Sequence, residues 1–540
     1  MTLSDVDNAI LNRALIAASH EMGAKLIRSA HSPIVREAQD CSAALTDPQG
    51  RVVAQAELTA IQLGSISHTL EACLALFPAD TLTPDDFLIN NDPFNGGQHV
   101  QDIFLFSPIF FEGQLIGFSA SVVHHIDVGG GAPGLNAEAR DVFQEGLIFP
   151  PTKYSFKRDW NGGPLERMIA ANVRLPESTI GDLNAQFAAN LIGTKRLTVL
   201  AEQYGVVKLL AAMAGALDYS ERRMRKAIVE LKDGIYTAEA EIEGATVGMP
   251  TTTIRTQVKI AGDQIDITFD GTDAQLKTNL NCPYASTIAA AIACVKSVLT
   301  SDDVPFNDGI ARAVRVSAPL GTVLNPHAPA AVRARLLASH RVFNSIMIAL
   351  SEVCPDKVIA EGFDTTTPIC LSHQGASGYN IYLEILGGGY GAGLNNDGAD
   401  GVDCPLSNCS NIPIEALEMD YPFMQIENYA LRPGSGGMGR RRGGHGFERS
   451  YRILDDGVLF STYTDRFNIQ PRGLSGGEPG ATCSIHVERD GHKIALTSRA
   501  SQSLQKGDLL VVRTGGGAGY GNPNERNEKL NEKDRLLGLV

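Results

Sequence analysis

Three histidines and an aspartate lie close together in the sequence in a pattern that could bind a divalent metal ion. His99 and Asp102 are three residues apart, and His124 and His125 follow at the end of the next apolar stretch. Imidazole nitrogens and carboxylate oxygens suit Zn, Fe or Mn, and no cysteine lies near them in the sequence. The spacing therefore predicts a metal site without thiolate ligands, although histidine pairs at strand ends are also often hydrogen-bonded surface residues.

The apolar residues between these groups are typical of a β-hairpin, and the length of its turn decides which histidine faces Asp102. A three-residue turn over 112–114 directly after Phe111 puts His124 opposite Asp102. A two-residue turn shifts the pairing by one residue and puts His125 on that face instead. In both registers the candidate ligands gather at one end of the hairpin.

The elements around the hairpin alternate between helical and extended patterns. Residues 4–29 carry an apolar stripe with helical spacing, and residues 41–54 have the pattern of two strands joined by a turn. Helical patterns dominate residues 165–231 and recur over 342–353, whereas short strands with many glycines follow residue 365. This mixture predicts an α+β fold, with mixed helix and antiparallel-strand blocks around a metal-bearing hairpin.

The same changes in pattern predict four regions along the chain. They are an N-terminal metal-binding region (1–234), a middle α/β region (235–364), a Gly-rich strand region (365–522) and a polar C-terminal tail (523–540). Glycine accounts for 55 of the 540 residues, above the average of ~7%, and the glycines cluster in the third region.

The composition restricts the possible classes of function. The 61 Asp and Glu residues outnumber the 46 Lys and Arg residues, and the net charge of −15 disfavours binding to nucleic acids and anionic membranes. No stretch of ~20 apolar residues could span a membrane, and the N-terminus lacks the basic and apolar segments of a signal peptide. We therefore expect a cytoplasmic protein that binds neither nucleic acid nor membrane.

Gly-rich segments that match nucleotide-binding or nucleophile motifs lack the surroundings that those motifs need. Residues 129–134 fit G-x-G-x-x-G, but Pro133 stands where the phosphate-binding helix should begin. Residues 473–477 fit G-x-S-x-G, but a Glu-Pro-Gly turn follows. No Gly-Lys dipeptide occurs, which excludes a P-loop. The basic run 440–442 is typical of an ion-paired loop, or of a contact with an anion or a partner.

A series of long motifs then makes the sequence recognisable. They are R-E-A-Q-D-C-S-A (36–43), N-D-P-F-N-G-G-Q-H-V-Q-D (91–102), H-H-I-D-V-G-G (124–130), G-D-L-N-A-Q (181–186), N-C-P (281–283), N-I-P-I-E (411–415), L-R-P-G-S-G-G (431–437) and G-G-G-A-G-Y-G (515–521). Over nearly the whole chain the sequence resembles the hydantoinase B family. That family includes the β subunits of ATP-dependent hydantoinases and lactamases and the matching half of 5-oxoprolinase, and it is related to a subunit of acetone and acetophenone carboxylases.

The resemblance assigns roles to individual residues. It implies that one divalent ion, zinc in the first place with iron or manganese as alternatives, is held by four residues, which by position are Asp40, His99, Asp102 and His124. It makes His125 and Asp127 candidates for catalytic proton transfer or for orienting the ligands. Simple packing at the wall of the site is the alternative for these two residues.

The resemblance also implies a function and a partner. A hydantoinase A-type α subunit is expected to use ATP and Mg²⁺ to phosphorylate the carbonyl oxygen of a cyclic amide, such as a hydantoin, 5-oxoproline or a lactam. This chain, as the β subunit of a hetero-oligomer, would hydrolyse the activated ring with a water whose pKa the metal lowers. Two alternatives remain. One is the corresponding subunit of a ketone carboxylase, which shares the metal motif and is expected to be longer; the other is a scaffold subunit with a closed structural metal site.

Overall fold

The computed structural model describes residues 4–244, 249–375 and 378–540, and in these ranges helices and strands follow one another in mixed order. The strands are β1 (Cys41–Thr46), β2 (Val52–Gln55), β3 (Asp86–Asn90), β4 (Asp102–Phe111), β5 (Gln114–His124), β6 (Thr152–Ser155), β7 (Gly234–Ile242), β8 (Thr252–Ala261), β9 (Gln264–Thr268), β10 (Val314–Ser317), β11 (Thr367–Gly375), β12 (Gly378–Leu386), β13 (Met424–Leu431), β14 (Phe447–Ile453), β15 (Val458–Tyr463), β16 (Ser484–Arg489), β17 (His492–Ala495), β18 (Arg499–Leu504) and β19 (Leu509–Arg513). The α-helices are α1 (Asp5–Ser29), α2 (Pro33–Arg36), α3 (Ala60–Leu63), α4 (Ile66–Leu76), α5 (Phe156–Asp159), α6 (Pro164–Asn172), α7 (Pro176–Tyr204), α8 (Val206–Val229), α9 (Tyr284–Leu299), α10 (Arg335–Leu350), α11 (Ile414–Asp420) and α12 (Glu528–Leu536). Among the described strands only β9 and β10 pair in parallel, and the mixed order confirms the α+β prediction.

A six-stranded antiparallel sheet, in the order β2-β1-β5-β4-β3-β6, carries the hairpin that the sequence predicts. Successive residues of a strand point to opposite faces of the sheet. On one face Phe104 and Val122 pack against α4, and on the other face Ile103 packs against α7. Asp102 lies two residues before Phe104 on β4 and His124 lies two residues after Val122 on β5, so both are on the α4 face.

The β4–β5 hairpin combines the shorter of the two possible turns with the strand pairing expected for the longer one. The turn consists of Glu112 and Gly113, with φ of 48° and 82°, and therefore has two residues rather than three. A β-bulge at Ile116 then adds one residue to β5 and shifts the register by one. Asp102 consequently pairs with His124. Of the two alternatives, the two-residue turn is correct, but it does not bring His125 onto the face of Asp102, because the bulge compensates for the shorter turn.

Helix α1, which flanks this sheet, begins and ends close to its predicted position. The hydroxyl of Ser4 accepts a hydrogen bond from Asp7 N (3.1 Å) and caps α1, which packs on α7 and β1 through buried residues such as Leu15 and Met22. No single helix of the described ranges is long and apolar enough to cross a membrane. Helices α7 and α8 meet that criterion only as a pair, which bends by 115° between them.

The middle of the chain forms a four-stranded sheet in the order β10-β9-β8-β7, which packs against α10. The buried helix predicted over 342–353 is confirmed in type but begins earlier, at Arg335. Every described residue of its first turn except Leu336 is buried, because α10 packs between this sheet, α9 and the strands that follow. The first turn of α10 thus reaches the end of the β4–β5 hairpin.

The C-terminal half contains two antiparallel sheets, β12-β11-β15-β18 and β13-β14-β19-β16-β17, and three Gly-rich segments that lie against one another. Gly444 N donates to the carbonyl oxygen of Tyr390 (2.8 Å), and Gly517 N donates to that of Gly444 (2.9 Å). A Cβ on Gly444 would lie 1.8 Å from the carbonyl oxygen of Ala399, so no other residue fits there. The clustered glycines therefore allow backbones to pack in direct contact.

The polar C-terminal tail packs onto this region as a short helix. Asp534 of α12 accepts hydrogen bonds from Arg442 Nε (3.1 Å) and Arg526 Nη2 (2.5 Å). Arg442 also pairs through two hydrogen bonds with Asp400 (2.7 and 3.0 Å). Within the basic run 440–442, the last arginine is therefore a buried ion-paired residue. The four region boundaries stay a prediction.

Candidate metal centre

Asp40, His124 and Asp102 lie side by side on three adjacent strands. β1 pairs with β5 so that Cys41 is opposite Val123, and Asp40 continues this register one residue before β1. The carbonyl oxygen of Asp40 accepts a hydrogen bond from His124 N (3.1 Å). On the other side of β5, Asp102 is the pairing partner of His124. The two strand pairings thus place one carboxylate on each side of the His124 imidazole.

His99 completes the group from the loop before β4. Its Nε2 atom lies 3.1 Å from Asp102 Oδ1, while His124 Nδ1 lies 3.4 Å from the same oxygen and 3.7 Å from Asp40 Oδ2. His99, Asp102 and His124 each offer one ligand atom, and these three atoms lie within 4.8 Å of one another. A single ion could therefore contact all three residues. The group is buried, since Asp102 is 0% exposed and Asp40, the most exposed member, is 8% exposed.

Side chains from α3 and α10 hold the two carboxylates. Gln62 of α3 donates through Nε2 to Asp40 Oδ1 (2.9 Å) and to Asp102 Oδ1 (3.3 Å). Arg335, the first residue of α10, donates through Nη2 to Asp102 Oδ2 (2.6 Å) and to Gln98 Oε1 (2.8 Å). Partners of this kind orient carboxylates at metal sites. They were not found from the sequence, because no spacing relates them to the histidines.

The contacts of His99 Nδ1 help to decide which nitrogen of the ring carries the hydrogen. Its Nδ1 atom lies 3.2 Å from the carbonyl oxygen of Arg333 and 2.9 Å from Nη1 of Arg335. A carbonyl only accepts and a guanidinium only donates, so the two contacts favour opposite tautomers. A cation at Nε2 would select the tautomer with hydrogen on Nδ1, bonded to the Arg333 carbonyl. The lone pair of Nε2 is then available as a ligand.

The electrostatics of the group favour a bound cation. Burial and the neighbouring charge of Asp102 raise the pKa of Asp40 to about 8. Burial lowers the pKa of His124 to about 4, so its ring is neutral at pH 7, which is the form that binds metals. Within the described residues, the buried Nε2 atom of His99, which faces Asp102, has no hydrogen-bond partner. Adjacent carboxylates, neutral imidazoles and an unpartnered ring nitrogen that faces them fit a divalent ion.

His125 and Asp127 make their contacts with α7 and the loop before it. His125 lies on the opposite face of the sheet, where its Nε2 atom is 3.1 Å from Gln186 Oε1. Asp127 accepts hydrogen bonds from the backbone N–H groups of Gly129 (3.0 Å) and Leu175 (3.0 Å). The structure thus brings the four predicted metal ligands together but engages the two predicted catalytic residues elsewhere. Their catalytic role stays a prediction.

A second polar cluster, the Glu361 cluster, consists of the buried residues Glu361, Arg341 and Arg466 together with the exposed Arg472. The Glu361 carboxylate pairs with Arg466 Nη2 (2.9 Å) and Arg472 Nη2 (3.0 Å). Burial alone would raise the pKa of Glu361, but the charges of the three arginines outweigh it and lower the pKa to about 2. This cluster is therefore neutralised by protein groups, and it resembles a structural ion-pair network.

Two large cavities are lined by other residues. One of about 450 Å³ is lined by residues 93–96 together with Tyr284 and His327, and one of about 650 Å³ is lined by Arg440, Arg441 and residues of α12. None of the four candidate ligands lines either cavity. The grouping of metal-binding side chains, rather than cavity size, therefore locates the candidate site.

Solved structures of two enzymes share this fold. The structure of the ATP-dependent caprolactamase from Pseudomonas jessenii matches with a TM-score of 0.91 at 25% identity, covering 100% of this chain and 95% of that chain. The nucleotide-free structure of acetone carboxylase matches with a TM-score of 0.88, covering 98% of this chain and 78% of that chain. Its identity is 18%, so this second similarity shows the fold alone.

Sequence comparison gives the family. The putative B-type subunit of a D-/L-hydantoinase from Pseudomonas sp. (strain NS671) is 32% identical over 538 residues, which cover 96% of this chain and 90% of that protein. The family model described as Hydantoinase B/oxoprolinase matches residues 4–523. With this match over nearly its whole length, the chain belongs to the hydantoinase B/oxoprolinase family.

Proposed function

We propose that this chain is the ring-opening subunit of an ATP-dependent cyclic-amide hydrolase, whose partner is an ATP-binding α subunit of the hydantoinase A type. The observation that supports this proposal is the buried His99–Asp102–His124 group with Asp40 beside it, in a chain related to hydantoinase and caprolactamase subunits. The sequence has no P-loop, which is consistent with ring activation on another subunit.

The chemistry divides between the two subunits. An unactivated cyclic amide is a poor electrophile, and transfer of the γ-phosphoryl group of ATP to its carbonyl oxygen produces a better one. Water then adds to the activated carbon, and the ring C–N bond breaks as the nitrogen takes a proton. Further hydrolysis releases the phosphoryl group as inorganic phosphate and leaves the ring-opened carboxylate.

A divalent ion would be held by Asp40, His99, Asp102 and His124, with zinc as the first choice and iron or manganese as alternatives. When bound, such an ion supplies a Lewis acid and lowers the pKa of water. The chain itself contributes a buried setting and fixed carboxylates, which Gln62 and Arg335 orient. The contacts of His125 and Asp127 with α7 and its preceding loop support a positioning role for these two residues.

A hetero-oligomer follows from the instability of the activated ring. An intermediate that water destroys must pass directly from one subunit to the next, which favours a lasting complex over diffusion. The related protein from Pseudomonas jessenii is named as the β chain of a caprolactamase, which is consistent with such an assembly. Co-expressed subunits should elute together in size-exclusion chromatography, and separate elution at micromolar concentration would argue against direct transfer.

The test is reconstitution of the chain with an A-type subunit. Ring opening and ADP release should be measured with hydantoins, 5-oxoproline, lactams and ketones, with and without bicarbonate. We expect ATP-dependent ring opening only when both subunits are present. Robust turnover by the isolated chain with ATP and Mg²⁺ would refute the need for a partner. Bicarbonate-dependent consumption of ketones would instead favour the carboxylase alternative.

Metal removal separates the catalytic proposal from the scaffold alternative. A chelator should abolish ring opening by the complex while circular dichroism of the chain stays unchanged, and added zinc, iron or manganese should restore activity. If the ion is structural, the chelator should instead change the circular dichroism, because loss of a structural ion unfolds the region that it holds.

A further inference from the structure

Arg333 differs from its neighbour Arg335 in having few partners at the metal centre. Its side chain is 3% exposed, and its Nη2 atom donates to the carbonyl oxygen of Gly134 (3.0 Å). Its Nε atom is buried and unpartnered, and no carboxylate of the described ranges forms an ion pair with it. Arg335, by contrast, pairs with Asp102 at 2.6 Å. A buried guanidinium without an anion is unfavourable, which points to a ligand that supplies negative charge.

The backbone of Arg333 is held from several sides. Its N–H group donates to Glu145 Oε1 (2.8 Å), and its carbonyl oxygen accepts from the hydroxyl of Tyr463 (3.2 Å) and lies 3.2 Å from His99 Nδ1. The Glu145 carboxylate also accepts from Val332 N (3.0 Å), and burial raises its pKa to about 7. Glu145 therefore binds the backbone of this segment, and the charge of Arg333 acts on its carboxylate without forming an ion pair.

The formal charges around Arg333 suit an anion. Arg333 and Arg335 offset the two aspartates of the site, so a divalent ion would add two positive charges. Asp403 and Glu145 offset both of these charges only when both are ionised, and burial raises the pKa of each of these carboxyls. With either one protonated, the centre keeps a positive charge, which suits a phosphoryl group carrying about −1.5 to −2 at pH 7.

We propose that Arg333 is an oxyanion-binding residue, whose ligand in the reaction is the phosphoryl group of the activated cyclic amide. The identity of this ligand rests on the proposed function, whereas the oxyanion site rests on the contacts of Arg333. The planar fork of a guanidinium binds two oxygens of one phosphoryl group, and burial strengthens such charge-assisted bonds. Binding there would retain the activated ring in the buried site while its C–N bond is hydrolysed.

The test uses inorganic phosphate as the probe. Isothermal titration should compare the zinc-saturated full chain with Arg333→Met, which removes the charge, and Arg333→Lys, which keeps the charge but not the fork. The control is Arg432→Met, because Arg432 also donates to carbonyl oxygens, those of Thr482 and Thr514, in the C-terminal half. Circular dichroism checks the fold of each variant.

We expect Arg333→Met to weaken phosphate binding about tenfold to a hundredfold, the cost of a lost bond to a charged group. Arg333→Lys should fall between this variant and the wild-type chain, and Arg432→Met should match the wild-type chain. Bicarbonate and acetate, titrated separately, should bind more weakly than phosphate. The proposal is overturned if the wild-type chain binds no phosphate, or if both Arg333 variants bind it as well as the wild-type chain does.

The reconstituted complex distinguishes failure of this assignment from failure of the proposed function. With Arg333→Met, the partner should continue to hydrolyse ATP, while the yield of ring-opened product per ADP falls. If the wild-type complex opens no cyclic amide but phosphate binding depends on Arg333, the proposed function fails and the oxyanion site stands. If the complex opens the ring equally well in all Arg333 variants, and phosphate affinity is unchanged, the Arg333 assignment fails and the proposed function stands.

Discussion

The candidate metal centre and the Glu361 cluster both bury carboxylates among arginines, but they balance charge in different ways. In the Glu361 cluster, two arginines bind the carboxylate directly and a third acts on it, and the pKa of Glu361 falls to about 2. At the metal centre, Asp40 has only the amide of Gln62 as a side-chain hydrogen-bond donor among the described residues. Burial and the charge of Asp102 raise its pKa to about 8.

The difference shows which buried carboxylate still lacks a counter-charge. Residue types do not separate the two clusters, since both contain buried acids and arginines. The direction of the pKa separates Asp40 from Glu361, because it reports whether protein groups already supply the counter-charge. Asp102 resembles Glu361 in this respect: burial alone would raise its pKa, but the charges of His99 and Arg335 outweigh burial and lower it. Asp40, whose pKa is raised, is therefore the carboxylate of the centre that is short of a cation.

The largest effect that would test this contrast is expected for His124→Ala. Loss of the imidazole should strip or weaken the metal and reduce ring opening by the complex by about a thousandfold or more, ~4 kcal/mol of barrier. The chain should stay folded. Elemental analysis, circular dichroism and product yield should be measured together.

His125→Ala is the matched control, because His125 is the next residue and faces α7. It should keep its metal. If His125→Ala loses metal and His124→Ala does not, the ligand has been misassigned. If neither variant loses metal, the metal site lies elsewhere. The proposed difference in charge balance between this group and the Glu361 cluster is then wrong.

The next largest effect is expected for a substitution in the Glu361 cluster. Glu361→Gln leaves Arg466 and Arg472 without their buried counter-charge, so the free energy of unfolding should fall by about 3 kcal/mol. Metal content should not change. Glu448→Gln serves as a control because its pair with Arg513 is partly exposed and should contribute less than about 1 kcal/mol. Urea unfolding measures both, and metal loss in Glu361→Gln would show that the two clusters are not independent.

Lowering the pH should reduce the free energy of unfolding through protonation of Glu361. The folded-state pKa of Glu361 is about 2, below the ordinary value of 4.5, so the unfolded chain binds a proton first as the pH falls. The stabilisation is complete above about pH 5 and is lost as the pH falls from 4.5 toward 2. Between pH 5 and pH 3 this amounts to about 2 kcal/mol. Unfolding of Glu361→Gln should lack that part of the pH dependence, and identical profiles would rule out the assigned pKa.

The smallest effect is expected for Gln62→Ala. This change removes the donor that spans Asp40 and Asp102, so the carboxylates lose orientation and metal affinity should fall about tenfold. Gln186→Ala is the control, because Gln186 contacts His125 on the opposite face of the sheet and should not affect the metal. Competition with a chelator gives both affinities. Equal losses in the two variants would mean that general destabilisation, and not ligand orientation, weakens the site.

Local pattern was enough to predict the hairpin and its contents. Alternation along a strand puts every second residue on one face, so Asp102 and a histidine had to meet at the hairpin end. The choice of His124 could not be made from spacing, because the bulge at Ile116 cancels the effect of the two-residue turn. A bulge inside an apolar strand leaves little trace in a single sequence, since the residues on both sides of it are equally apolar.

The rest of the site depends on long-range packing that no local pattern reports. Asp40 faces His124 only because β1 pairs with β5, and strand order within a sheet is not encoded in the spacing of either strand. Gln62 and Arg335 look like ordinary polar residues at helix positions until α3 and α10 pack against the sheet. The Asp40 assignment came from the family resemblance, and its role as a ligand stays a prediction.

The arrangement of these groups along the chain also has a consequence for the order of events during synthesis. The four candidate ligands and their orienting partners extend from Asp40 to Arg335, and they meet only after β1 pairs with β5 and α10 docks. Before the β4–β5 hairpin closes, an ion would find only His99 and Asp102 together, and closure of the hairpin adds His124 alone. Contacts between such distant segments form slowly. Firm metal uptake should therefore be a late step of maturation, timed by the docking of α10 rather than by closure of the hairpin.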